Sequence, residues 1–297
     1  MTMQPSLFAD DIEDMDALEP PKIGAVAPWF GSKRNLAPTI VKAIGTHQAY
    51  WEPFCGSLAV LFAKPFCAME TVNDLHGDLI NLCRVIACED TAVELFTALS
   101  RFLMHESLFR DAGERVKEWG RAEASEPPSV RRAIDYMVCS WFGRNGVSGT
   151  ALYNQGFCAR YTKNGGSAAK RWVSAVESIP AWHDRLRAVT ILNRDAFAIV
   201  QKIEDARGVV IYCDPPYLVK GAKYVHDFSD ADHARLAELL RRFRHTRVIV
   251  SYYDDPRLNE LYPTWGMEKI EVTKALSLQN HKGAKPSKAT EVLLTNF

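Results

Sequence analysis

The sequence predicts an α/β protein: a largely parallel sheet buried on both faces, with a mainly helical module spliced into it. Three observations point there. The runs 188–193, 208–213 and 247–252 are continuously apolar, as strands covered on both faces are. Helical segments at 195–205 and 231–245 separate those runs. A long helical and polar span interrupts the alternation of strand and helix, which implies an insertion into one sheet.

The elements follow in chain order. Residues 1–20 carry six acids and no base, so 1–24 is expected to be a disordered acidic tail. Residues 48–53 read as a strand that meets a glycine turn, and 69–74 as a second strand followed by helical spacing at 78–88. Several helical stretches are expected, over 91–121 and over 130–142. A Gly-, Asn- and Ser-rich span covers 143–166, and a further helix follows Lys170. Residues 267–272 and 291–296 look like a closing antiparallel pair joined by a basic loop. The expected organisation is a catalytic and cofactor-binding domain, 25–90 plus 188–297, around a target-recognition insert, 91–187.

The chain's 297 residues suffice for a large core, and no run of eighteen apolar residues suggests a membrane span. The N-terminus lacks the basic-then-apolar order of a signal peptide. Seven scattered cysteines without a CxxC pair point to reduced thiols in a cytosol rather than a disulfide frame or a zinc site, and no metal is expected. The formal charge is zero, but the six tail acids leave +6 on the remainder. Between Pro128 and Val189 nine bases face three acids, a basic segment that the average conceals.

Two motifs carry chemistry. In "WEPFCGSLAV" the segment Glu52 to Gly56 sits where a first strand meets its helix, so Gly56 lets backbone approach a ligand. Asp74 ends the next strand, 18 residues beyond Gly56, close to the ~20-residue spacing at which an acid accepts hydrogen bonds from a cofactor ribose. The ordinary alternative is that Asp74 caps the following helix. In "VVIYCDPPY" a buried strand stops at Asp214, because proline cannot continue it. Asp214 and the Pro215 carbonyl can each accept a hydrogen bond from one amine, and the Tyr217 ring can stack on a planar base. That suits an aromatic amine such as adenine N6, whose lone pair must be freed from the ring before it attacks a sulfonium methyl group.

These segments, with "PWFGSKRNLAP" at 28–38, "VNDLHGDLINLCRVI" at 72–86, "VSYYD" at 250–254 and "TEVLLTNF" at 290–297, resemble the Dam-type, D12-class, α-group N6-adenine DNA methyltransferases over roughly residues 25–297. The resemblance implies a Rossmann-like methyltransferase sheet that uses S-adenosylmethionine. It implies that Trp29 and Lys33 help to enclose the cofactor, that Phe54 and Gly56 lie at its methionine part, that Asp74 holds the ribose hydroxyls and that Asp195 lies beside the cofactor adenine. Asp214, Pro215 and Tyr217 would receive a flipped-out adenine, with Asp214 also close to the cofactor. One departure stands out: Leu58 occupies a place where many relatives carry a second glycine.

Double-stranded DNA is the implied partner of a monomer, and the sequence leaves open whether a cognate restriction nuclease exists. Within the insert, Arg144, Asn145, Arg160, Lys163 and Lys170 have the chemistry to grip phosphates or read base edges. Two alternatives stay open at this point: methylation of another conjugated amino group, cytosine N4 or a glutamine amide, and a catalytically silent DNA-binding regulator.

Overall fold

A computed structural model describes residues 24–29, 31–118, 124, 126–143, 148, 156–158, 167–218, 226, 228–273 and 288–297. The expected acidic tail lies outside these residues, apart from Gly24.

Seven strands form one sheet: β1 (Ala49–Glu52), β2 (Met69–Asn73), β3 (Thr190–Leu192), β4 (Val209–Cys213), β5 (Arg247–Tyr253), β6 (Gly266–Thr273) and β7 (Lys288–Thr295). Their spatial order is β3-β2-β1-β4-β5-β7-β6. The first five are parallel, and β7 enters antiparallel between β5 and β6. The chain direction of growth reverses between β1 and β4, so the carboxyl ends of these two strands flank the switch point where α/β sheets bind ligands. The register aligns Glu52 with Val72 and Cys213 with Val250. Asp74 and Asp214 therefore emerge at the same edge of the sheet as the turn after Glu52.

The helices are α1 (Ala37–Ile44), α2 (Ala59–Ala63), α3 (Gly77–Ala87), α4 (Glu89–Leu99), α5 (Glu106–Glu118), α6 (Val130–Phe142), α7 (Ala168–Glu177), α8 (Ile179–Leu186), α9 (Ala196–Lys202), α10 (Asp230–Arg241) and α11 (Leu258–Leu261). The helical stretches expected over 91–121 are two helices, α4 and α5. After Leu99 the Ser100 hydroxyl donates back to the Phe96 carbonyl, and His105 Nδ1 accepts from the Ser107 amide to start α5. Apolar residues Phe102 to Met104 continue the helical pattern across this break and conceal it.

Two apolar clusters cover the sheet. One joins β1 and β2 to α1–α8, so that Leu95 of α4, Tyr136 of α6 and Trp182 of α8 share a core with Ile80 and Val85 of α3. The other packs α9 and α10 against β4, β5 and β7 through Phe197, Leu236, Ile211, Val250 and Val292. No helix among the described residues is long and apolar enough to cross a membrane.

Candidate active site

The turn after β1 is built by close approach. Gly56 has φ +44°, and a β-carbon there would stand 2.8 Å from Trp29 Nε1, so only glycine lets the indole lie against this backbone. Leu58 is left-handed too, at φ 64°. This is the position where the resemblance anticipates glycine, and the geometry of the loop is the glycine one. Burial of the leucine side chain in the core offsets the roughly 1–2 kcal/mol that a side chain costs in that conformation.

Asp74 ties two turns together. Its Oδ2 accepts the Gly56 amide and its Oδ1 accepts the His76 amide, both at 2.9 Å. It does not cap α3. His76 is the cap, its Nδ1 accepting from the Leu79 amide. Asp195 does cap a helix, α9, through the Ala198 amide, and remains exposed.

A cavity of about 250 Å³ opens at the carboxyl edge of the sheet. Trp29, Lys33, Phe54, Gly56, Asp74, Asp195 and Asp214, drawn from five separate chain segments, all line it. Pro215 and Tyr217 stand just beyond, with Pro216 on the wall. Lys33 does more than enclose. Its ammonium is 2.9 Å from Asp214 Oδ2, donates to the Gly31 carbonyl at 2.8 Å and sits 4.9 Å from the Tyr217 ring centroid. Burial disfavours that ammonium, yet Asp214 and then Glu291 hold its pKa above the ordinary lysine value. Burial likewise raises the Asp214 pKa, and Lys33 pulls it part of the way back. Asp214 Oδ1 is buried and has no hydrogen-bond partner among the described residues.

A strand-end carboxylate with one oxygen anchored and the other left open, beside an aromatic ring, is an acceptor prepared for an N–H group. A model of the "D12 class N6 adenine-specific DNA methyltransferase" family matches residues 29–277. The chain belongs to that family. Curated relatives agree over most of its length. The chain is 26% identical to the Type II methyltransferase M1.LlaDCHI of Lactococcus lactis subsp. cremoris, the match spanning 91% of this chain and 94% of that one. It is 24% identical to the retron Ec67 DNA adenine methylase of Escherichia coli, over 91% and 90% of the two chains. The DNA adenine methylase of Escherichia coli strain K12 is also 24% identical, over 91% and 94%. As a D12 enzyme the chain methylates adenine N6 in DNA.

In this D12 chain the cavity contains groups that motif reading passed over. Glu52 is the clearest. It is buried on the cavity wall, accepts a 2.9 Å hydrogen bond from Tyr50 and has its pKa pushed up to about 8, chiefly by burial. It stands inside the quoted motif, but a strand residue gives no sign of facing a cavity until the sheet is assembled. Phe197 and Phe228 stack at 5.7 Å and, with Phe54, form an aromatic wall. The signal for Phe197 was its place two residues after Asp195. Of the DNA-contact candidates, Lys170 is exposed on α7, whereas Arg144, Asn145, Arg160 and Lys163 lie outside the described residues.

Proposed function

We propose that this adenine-N6 DNA methyltransferase takes its methyl group from S-adenosylmethionine and acts as a monomer on double-stranded DNA in the cytoplasm of a bacterial or phage-infected cell. Residues 91–187 serve target recognition. The residues of the cavity fit a cationic nucleoside. The Gly56 turn lets a ligand approach backbone, Trp29 and the Phe54–Phe197–Phe228 wall supply flat apolar surface, and Glu52, Asp74, Asp195 and Asp214 supply acceptors. Asp74 would hold the ribose hydroxyls with lone pairs beyond those given to Gly56 and His76. When bound, the sulfonium cofactor supplies an electrophilic methyl carbon.

The chain's own contribution is to prepare the nucleophile. A base inside a duplex cannot reach the sheet edge, so the target adenine must leave the stack, at a few kcal/mol. Tyr217 then offers its ring, and Asp214 Oδ1 and the Pro215 carbonyl take the two N6 hydrogens. Drawing both hydrogens out of the ring plane localises the nitrogen lone pair for in-line attack. As the nitrogen–carbon bond forms, the methyl–sulfur bond would break and leave a neutral thioether; positive charge grows on nitrogen, Asp214 offsets it, and one N6 proton is then lost to solvent to give the neutral N-methyl amine. Lys33, 2.9 Å away, favours the charged form of Asp214 against the burial that raises its pKa.

The buried, unpartnered Oδ1 of Asp214 carries this reading. Asp214→Asn replaces the acceptor pair by an amide and should lower kcat by roughly 10²–10³-fold, the scale for losing one group that stabilises transition-state charge. Transfer of tritiated methyl groups to unmethylated phage DNA measures the rate, and circular dichroism checks the fold. A folded variant with wild-type turnover would remove Asp214 from the mechanism.

A further inference from the structure

We propose that Glu291 is a positioning residue for methyl transfer: through the Tyr217 hydroxyl it fixes the ring against which the target base stacks. This rests on the place given to Tyr217 above. Stacking needs only the ring, so the tyrosine hydroxyl is surplus to it. Yet that hydroxyl donates a 2.7 Å hydrogen bond to Glu291 Oε2. Glu291 is buried, only 6% exposed, on β7. A buried carboxylate is costly unless it is well bonded, and hydrogen bonds to a charged acceptor are the strong ones.

The surroundings make the tether directional. Glu291 pairs directly across the ladder with Tyr253 of β5. The Tyr253 ring meets the Tyr217 ring edge-to-face, with centroids 4.6 Å apart at 83°. The Lys33 ammonium lies over the same Tyr217 ring. An aromatic side chain otherwise turns through a broad range about its second torsion. Here one end is bonded to a strand held on both sides by β5 and β6, and the ring is braced by Tyr253 on the adjacent strand. Glu291 does not line the cofactor cavity among the described residues, and Asp214 supports the Lys33 ammonium more strongly than Glu291 does, so its removal should spare cofactor affinity.

The test uses the full chain, tritiated S-adenosylmethionine and unmethylated phage DNA. Glu291→Leu should lower kcat by roughly 10–100-fold, the effect of an ångström-scale misplacement at a reacting centre. The cofactor Kd from calorimetry should stay unchanged. Glu291→Gln keeps an acceptor oxygen and should recover most of the loss. Tyr217→Phe removes the same bond from the other side and leaves β7 intact. It should lower kcat at least as far as Glu291→Leu, because the hydroxyl also serves Asp214, and the double variant should be no slower than Tyr217→Phe. Wild-type turnover in Tyr217→Phe or Glu291→Leu, or losses that multiply in the double variant, would overturn the tether. Tyr217→Ala separates the levels: wild-type turnover there defeats the base-pocket reading itself, while an inactive Tyr217→Ala beside a fully active Glu291→Leu defeats Glu291 alone.

Discussion

At the scale of single residues, the sequence shows chemistry best where proline and glycine force the backbone. Asp214 was legible because two prolines must end a buried strand after it, and Gly56 because a turn there needs close approach. The Lys33–Asp214 ion pair and Glu52 were not legible, since each depends on strands and loops far apart in the chain. Glu52 also has a consequence for stability. Its pKa is near 8 in the folded chain against an ordinary 4.5, because burial in the presence of Asp214 outweighs the Tyr50 hydrogen bond. Below about pH 4.5 the carboxyl is protonated in both states, and its contribution is fully present. As pH rises from there to about 8 the unfolded chain releases a proton that the folded chain retains, so stability falls by about 1.4 kcal/mol per unit. Above about 8 the loss is complete. Glu52→Gln should therefore show a flatter decline of Tm than the parent between pH 5 and 8. Parallel Tm curves across that window would mean that Glu52 is ionised in the folded chain.

Among elements, the strands with continuous apolar runs were read to within a residue or two, and the β6–β7 pair closes the sheet as expected. The short helices α2 and α11 span too few turns for a 3.6-residue period to show. Nor does periodicity reveal how the inserted helices attach. Arg185 of α8, fully buried, donates Nη2 to Glu70 of β2 at 2.8 Å and to the Leu61 carbonyl of α2 at 3.1 Å. Lys64, which ends α2, pairs with the same Glu70. Burial disfavours the Glu70 charge, but Arg185 and then Lys64 hold its pKa below the usual carboxylate value. Three charges from three elements thus form a buried joint between α8, α2 and β2. Arg185→Met keeps the apolar bulk against Phe66 but takes the guanidinium away from Glu70 and leaves it to Lys64 alone among the described residues. The expected cost is roughly 3–5 kcal/mol in urea unfolding, the range for breaking a buried ion pair from one side. A cost below about 1 kcal/mol, typical of an exposed pair, would show that the joint is hydrated in solution.

Across the whole molecule, the zero net charge is a poor guide to a DNA-binding protein because the acids and bases are segregated. The six acids of residues 1–20 mask an excess of +6 on the rest. The cavity collects Asp74, Asp195, Asp214 and Asp232 against one lysine, Lys33, while Glu52 keeps its proton below about pH 8, so the edge still carries more acid than base and repels phosphates. The duplex must be gripped elsewhere. Residues 144–171 contain five bases and no acid, and Lys170 at the near end of that span is exposed on α7. Each phosphate that a lysine neutralises releases condensed counterion and adds about 0.9 to the slope of log K against log salt. Replacing Lys163 and Lys170 together by glutamine should therefore weaken binding to cognate and scrambled duplexes alike and flatten the salt dependence by up to about two units. The ratio of the two affinities should hold, because phosphates carry no sequence. Fluorescence anisotropy on both duplexes from low to moderate salt gives slope and ratio in one experiment. An unchanged slope would remove this span from the phosphate track and shift attention to the bases of the loop 282–288. A changed ratio at constant slope would make one of these lysines a reader of base edges instead.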